Sequence, residues 1–394
     1  MMDIGRLAEE QKDYVIQARH YLHSHPEVGE QEVNTTRYIC GELEKMGVAV
    51  QTFEGITGCV GTIEGKYPGK TVMLRADIDA LPIEEQPGKS YCSQNPGVMH
   101  ACGHDCHTAM LLGAARILAS HREEICGTVK LIFQMAEEIG RKSEEYVKRG
   151  ALEGVDAIFG MHVWSSLDVG TANFEEGERM ACSDRFTIRV HGKKSHGSAP
   201  HEGNDAILAA AYVVMALQSI PSRQISPLDS LVVTVGMMNG GTKENILADE
   251  TELVGTVRVF DREFRKSMPE RIRQAASQAA GICGCSVDCD YYFGPSPLIN
   301  DHEDLNRLAA EAAKAELGED CLRSLPKVTG AEDFSVYMEH IPGVFGYLGV
   351  RNREKGIVCT HHHPAFDVDE DVLYHGTGIY VRFALNYLNE EAGA

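Results

Sequence analysis

The sequence predicts an α/β protein: a mostly parallel sheet covered by helices, interrupted by an inserted ferredoxin-like α+β domain. Three observations predict it. Strand and helix patterns alternate up to residue 182, a βαββαβ series fills residues 183–294, and the alternation resumes in residues 295–394. At 394 residues the chain exceeds what one hydrophobic core usually supports, so two domains are expected. The outer ranges, 1–182 and 295–394, form the metal-binding catalytic domain, and 183–294 an inserted lid or dimerisation domain.

Taken in order, DYVIQARHYLHSH and TTRYICGELEKMGV carry helical periodicity, and VGTIEG and KTVMLRADID are short β-rich runs. HTAMLLGAARILASHREEI reads as a helix, TVKLIFQMA as a buried strand, EEYVKRGAL as a helix and DAIFGMHVW as a strand ending near His162. In the insertion the series is RFTIRVHG, the helix NDAILAAAYVVMALQSI, strands SLVVTVGMMNG and ETELVGTVRVF, the helix REFRKSMPERIRQAASQAAGI and strand SVDCDYYF. A further buried strand, VFGYLGV, returns to the parallel sheet.

Composition narrows the function. A formal net charge of -21 repels nucleic acid and anionic membranes, leaving a small substrate or a metal as the partner. The N-terminal stretch is polar and helix-patterned without an apolar leader core, and no apolar run approaches membrane-spanning length. Twelve scattered cysteines fit reduced thiols in a cytoplasmic protein. Cys40, Cys59, Cys92, Cys126, Cys182, Cys321 and Cys359 read as buried small apolar residues, and Cys283, Cys285 and Cys289 are not expected to be half of a metal site.

Metal-ligating residue types gather at predicted strand ends. KTVMLRADIDALP presents Asp77 and Asp79, TVKLIFQMAEE presents Glu137 and Glu138, and DAIFGMH presents His162, all at the carboxyl edge where open α/β sheets build sites. HACGHDCHTAMLLG adds Cys102 and His104 just before a helix, and CTHHHPAFDVDE adds His361, His362 and His363. Taken singly, a His or Glu after a strand is usually solvated and an Asp near a helix start is usually a cap. Their gathering at one edge favours a metal site. Imidazole, carboxylate and thiolate donors suit Zn, Mn, Co or Ni and exclude an all-oxygen Ca or Mg site. Their number points to two divalent transition-metal ions sharing a bridging water.

Adjacent carboxylates at a strand end point in different directions, so one of Glu137 and Glu138 can bind metal while the other acts as general base. An acid pair that merely starts a helix is the plainer alternative, and the preceding buried strand weighs against it. Within the insertion, HGKKSHGSAPHEGNDAI offers His196 as an oxyanion donor, while His201 is as readily a surface residue. Asn245 and Arg258 are candidates for binding a substrate carboxylate.

These motifs, together with HSHPEVGEQE, GMHVW, GGTKENILADE, GTVRVFD and TGAEDFSVY, run through nearly the whole chain. In that order the sequence resembles the M20 metallopeptidase clan, in its subfamily of aminoacylase, hippurate-hydrolase and auxin-conjugate-hydrolase amidohydrolases. The resemblance implies that Cys102, His104, Glu138, His162 and His362 bind the metals, with His362 chosen by the His-x-Pro spacing to Pro364. It implies that Glu137 is the general base, that Asp79 orients the metal site, and that His196 is presented across a dimer interface to the neighbouring active site. Glu332 and Asp333 fall in the EDF motif near the pocket. Cys106 stands where the family usually has Gly, and Met135 where Pro is common.

The expected protein is therefore a homodimeric, metal-dependent hydrolase that cleaves the amide bond of small N-acyl amino acids. A dipeptidase or an N-acetyl-diamino-acid deacetylase would keep the metals and change the substrate. A non-catalytic metal-dependent binding protein is the rival of another class, and the presence of Glu137 and His196 weighs against it.

Overall fold

A computed structural model of the chain describes residues 2–390. Met1 and residues 391–394, the tail of the predicted range 295–394, lie outside the described residues. Ahead of the insertion run strands β1 (Ala49–Gln51), β2 (Cys59–Glu64), β3 (Tyr67–Asp77), β4 (Cys126–Gln134), β5 (Ala157–Asp168) and β6 (Ala172–Asn173). Then come β7 (Gly177–Met180), β8 (Asp184–His191), β9 (Leu231–Gly240), β10 (Glu250–Val259), β11 (Ser286–Tyr292), β12 (Leu298–Asn300) and β13 (Gly343–Arg351).

The chain divides into two compact units. One takes residues up to Gly177, then Asn300–Pro326, then Val336 onward; the other takes Glu178–Ile299 and Lys327–Ser335. The short return segment joins the second unit because Val328 bonds to the Arg179 and Ala181 backbone, at 3.0 and 3.2 Å.

In the first unit seven strands form one sheet in the order β1-β2-β4-β3-β5-β13-β6. The four central strands are parallel, and β1, β2 and β6 make antiparallel edges. Parallel strands buried on both faces need continuous apolar runs, and residues 344–350 of β13 supply one, every residue buried. Two helices, His104–Ser120 and Leu373–Glu390, pack against each other and against β3.

Local chemistry moves three boundaries. Helix His104–Ser120 starts earlier than its pattern suggested, because Gly103 at φ 90° turns the chain directly into it, so His104 is its first residue rather than part of the preceding loop. The predicted helix EEYVKRGAL shrinks to Glu144–Lys148, with Gly150 at φ 79° ending it. β5 does not stop at His162 but continues to Asp168, because its parallel neighbour β13 pairs with it that far. His162 still stands level with the ends of β3 and β4, since Arg75 pairs with Gly160 and Asp77 with Gln134.

The second unit is ferredoxin-like: β8, helix Ala206–Leu217, β9, β10, helix Arg262–Gly281 and β11 form an antiparallel sheet ordered β11-β8-β10-β9. Its two ends are pinned by Asp184, which is 1% exposed. The Asp184 carboxylate accepts from Arg265 Nη2 at 2.7 Å, from Tyr291 Oη at 2.7 Å and from the Gly294 N–H at 3.0 Å.

Two further expectations need correction. Over Ala206–Arg223 the chain is long and apolar enough to cross a membrane by length and composition, with mean hydropathy 1.3, but a third of that window is buried inside the protein. Ala206, Ala209, Ala210 and Val213 face the core, while Ile207, Leu208, Tyr212 and Met215 are exposed. Of the seven cysteines expected to be buried, Cys40, Cys92, Cys126 and Cys359 are only partly covered. Cys126 opens a strand, and Cys92 and Cys359 lie outside helices and strands.

Asp184→Ala leaves the buried Arg265 guanidinium without its carboxylate. The substitution is expected to destabilise the second unit by about 3 kcal/mol, read as a lower urea midpoint, with Asp184→Asn losing less.

Candidate metal centre

The site is assembled at the carboxyl edge of the parallel sheet. β3 ends on Asp77, with Asp79 two residues on, and β5 delivers His162. Glu137 and Glu138 do not extend a strand as expected: β4 ends at Gln134, and the two acids open the 3-10 turn Glu137–Ile139, which the left-handed Ala136 starts, so the turn and not strand alternation separates their directions. Gly103 allows the Cys102–His104 loop to close on β5: a Cβ there would lie 2.3 Å from Val163 Cγ2. The His362 N–H donates to Ala101 O at 2.8 Å, tying the late histidine loop to the same place.

Donor atoms converge in overlapping groups. Those of Cys102, His104 and His162, of Cys102, Glu138 and His362, and of His104, Glu137 and Glu138 each lie within 4.8 Å of one another. The overlap of these groups through Cys102, His104 and Glu138 leaves room for a pair of ions in one pocket.

His104 is fully buried, with Nδ1 3.2 Å from Asp79 Oδ1. Its Nε2 has no hydrogen-bond partner among the described residues and lies 3.6 Å from Asp77 and 3.9 Å from Glu138. Burial works to lower its pKa, but Asp77, Asp79 and Glu138 push it up to about 10. The surroundings therefore demand positive charge, which a divalent ion supplies with a nitrogen donor ready for it.

His162 donates Nδ1–H to the Val163 carbonyl at 2.6 Å, so its Nε2 carries a lone pair, 3.4 Å from Cys102 Sγ. Burial, with His107 and His361 nearby, holds it well below the usual imidazole range, in the neutral form that binds metal. Burial and the carboxylates of Glu138, Glu137 and Asp77 push the Cys102 thiol well up, so a metal is what would make it a thiolate. This donor set fits two divalent transition-metal ions.

The histidine run is sorted by hydrogen bonding. His361 donates Nε2–H to Val163 O at 2.9 Å and accepts from Ser165 Oγ at 3.0 Å. His363 Nδ1 accepts the Ala365 N–H at 3.0 Å. His362, with φ 64°, turns its Nε2 to 3.2 Å from Glu138 Oε1.

Asp79 serves twice: it takes His104 Nδ1 on one oxygen and the Glu138 N–H, at 3.1 Å, on the other. Asp77 instead bonds Arg75 Nη1 at 2.8 Å and His107 Nδ1 at 2.5 Å. His107 Nε2 accepts the Val163 N–H at 2.9 Å, so its Nδ1 carries the proton. Sequence reasoning passed over His107, although its i+3 spacing from His104 places both on one helix face.

A second hub supports the ligand loops. Arg19, 1% exposed, reaches Asp105 at 3.3 Å, Asp367 at 2.8 Å and Glu370 at 2.5 Å, joining the first turn of helix His104–Ser120 to the segment after His362. His23 bonds Asp105 at 2.8 Å and Glu85 at 3.0 Å.

The remaining candidates lie in the second unit. His196 is exposed, and its Nδ1 accepts from the Ser198 N–H at 3.1 Å and from Ser198 Oγ at 2.7 Å. Its neutral ring thus carries the proton on Nε2, as a donor. The Gly197 N–H donates to Asn245 O at 2.8 Å, setting His196 and Asn245 on adjoining segments. Arg258 on β10 donates to Val257 O at 3.1 Å and to Thr256 Oγ1. His201 is exposed in a short turn. Glu332 and Asp333 are buried, and Glu332 Oε1 accepts the Phe334 N–H at 2.9 Å.

Burial lowers the pKa of His23, but Asp105 and Glu85 outweigh it and the net shift is upward. Its stabilisation is therefore fully present below the unfolded value of about 6.5 and is lost as pH rises through the folded value. The stability difference between wild type and His23→Gln, about 2 kcal/mol at acid pH, is expected to shrink in urea titrations run toward alkaline pH.

The chain matches Peptidase family M20/M25/M40 across residues 73–386. It is similar to N-acetyl-L-cysteine deacetylase of Bacillus subtilis, 39% identical over 360 residues, covering 91% of this chain and 84% of that protein. It is 38% identical over 383 residues to IAA-amino acid hydrolase ILR1-like 4 of Arabidopsis thaliana, covering 96% of this chain and 86% of that one. Among solved structures, the Bacillus subtilis YXEP protein, a dinuclear metal binding peptidase from M20 family, superposes with a TM-score of 0.85 at 36% identity, covering 97% of this chain and 99% of that one.

Proposed function

Because this chain belongs to peptidase family M20/M25/M40, we propose that it is a metal-dependent amidohydrolase cleaving small N-acyl amino acids. The observation that carries the proposal is the convergence of thiol, imidazole and carboxylate donors around His104, with a second glutamate beside them. Relatives named for deacetylating N-acetyl-L-cysteine and for hydrolysing IAA-amino acid compounds support the acyl-amino-acid class.

We assign Cys102, His104, Glu138, His162 and His362 as the metal ligands, with Asp79 orienting His104 and the Glu138 backbone. When bound, the two ions supply Lewis acidity toward the amide carbonyl and acidify water. Glu137, next in sequence to the ligand Glu138, takes the proton of the attacking water and passes it to the departing amine. His196 of the partner subunit donates Nε2–H to the developing oxyanion. Asn245, Arg258 and Glu332 contribute to holding the substrate.

A homodimer follows from that role for His196. It is supported by the exposed apolar face of helix Ala206–Leu217, where Met215 is 73% exposed, and by β9, an open sheet edge carrying exposed Met237 and Met238. A second copy of the same unit meets both needs through one two-fold contact. The cysteines, none paired in a disulfide among the described residues, fit a cytoplasmic setting.

Glu137→Ala is expected to lower kcat on N-acetyl amino acids by about 10² to 10⁴-fold while elemental analysis still finds two ions per chain. Undiminished turnover would reject the assignment. Leu208→Glu combined with Met215→Glu is expected to give a monomer by sedimentation, with activity down by about 10²-fold. A fully active monomer would remove His196 from the mechanism.

A further inference from the structure

The turn that launches Glu137 and Glu138 is held from outside. Ala136, the residue before them, has φ 54° and ψ 41°, a left-handed conformation that a residue with a Cβ adopts only when its surroundings impose it. Its buried N–H donates to Glu32 Oε1 at 2.8 Å. The other Glu32 oxygen accepts from Thr57 Oγ1 at 2.6 Å. Tyr146 completes the frame, its Oη accepting the Met135 N–H at 3.1 Å and donating to Thr57 O at 2.6 Å.

Glu32 is fully buried and stands at the N-terminus of helix Val33–Lys45, yet its side chain makes no capping bond to that helix. Capping therefore does not explain a carboxylate taken out of water. Burial pushes it up to about 7, against the lowering effect of the Thr57 hydroxyl and backbone N–H groups. A buried carboxyl is costly unless its bonds are used, and one of its oxygens is spent on the Ala136 N–H while the other is held by Thr57.

We propose that Glu32 is a positioning residue, whose carboxylate clamps Ala136 in its left-handed geometry and so sets where the Glu137 and Glu138 side chains leave the turn after β4. Without it a buried N–H loses its acceptor, and relaxation of φ at Ala136 swings both glutamates. The inference rests on the reading of Glu137 as the proton carrier for its kinetic effect, but the clamp itself does not.

The test compares wild type, Glu32→Ala and Glu32→Gln as full-length, metal-loaded protein, by amide hydrogen exchange over residues 133–140, metal content and steady-state kinetics. In Glu32→Ala, exchange of that segment is expected to rise by about tenfold or more, the equivalent of one lost hydrogen bond, and kcat to fall by at least about tenfold with KM within about threefold. Two ions per chain should remain. Glu32→Gln, whose amide oxygen still accepts the Ala136 N–H, should keep wild-type protection and most of kcat.

Unchanged exchange in Glu32→Ala overturns the clamp, whatever reaction the enzyme performs. Exposed exchange with wild-type kcat overturns its positioning role, and so does a Glu32→Gln variant as impaired as Glu32→Ala. Should Glu32→Ala fail to fold, Thr57→Val removes the hydroxyl that orients Glu32 and is expected to loosen the same segment to a smaller degree. Wild-type exchange there overturns the proposal. Complete inactivity of the wild type on N-acyl amino acids with the exchange pattern intact would instead indict the substrate assignment.

Discussion

Three carboxylates, those of Asp77, Asp79 and Glu138, converge on the buried imidazole of His104 at the end of a parallel sheet, and this concentration of negative charge away from water constrains everything around it. Buried acids persist only where cations or hydrogen-bond donors compensate them. Asp77 is compensated permanently: burial works to raise its pKa, but Arg75, His104 and His107 together hold it well below the ordinary carboxylate range. Asp79 accepts a ring N–H and a backbone N–H. What is left, around His104 Nε2, Cys102 and Glu138, matches the charge and softness of transition ions.

The supporting residues form relays whose far ends are backbone. His107 passes from Asp77 to the Val163 N–H, and His162 and His361 both donate to the Val163 carbonyl. One residue on β5, Val163, therefore fixes the tautomers of three histidines through its N–H and its carbonyl. Such second partners orient ligand rings and keep lone pairs pointed where metals are needed. Arg19 does the equivalent for the loops, exchanging the flexibility of three separated segments for one buried cluster.

The parts of this arrangement that were legible in the sequence share a cause. Asp77, Glu137, Glu138 and His162 were visible because strand periodicity places strand ends at one edge, and Cys102 and His104 because a short loop before a helix returns there. The ferredoxin-like order was legible because each element is long and strongly patterned. Arg19, Glu32 and Tyr146 were not, since each acts through bonds to residues distant in the chain and leaves no local period. Arg19 in particular sits in an amphipathic helix like any surface cation, and only the fold brings Asp105, Asp367 and Glu370 to it. The Ala206–Arg223 stretch was read correctly as helical, but its apolar length was underestimated, because one face packs on the sheet while Ile207, Leu208, Tyr212 and Met215 on another are exposed.

The knot at Asp184 bears on how such a chain can be made. Pairing β13 with β5 requires residues far apart along the chain to meet, and loop-closure entropy would penalise that encounter and slow it. With Asp184 bonded to the Gly294 N–H, and the Ser183 N–H to Pro295 O at 3.2 Å, the intervening excursion begins and ends at one point. Once that module has condensed, the effective tether between the two central strands is reduced to the arms on either side, residues 169–183 and 295–342. A growing polypeptide can thus complete its middle first and add its last parallel strand to a framework already waiting.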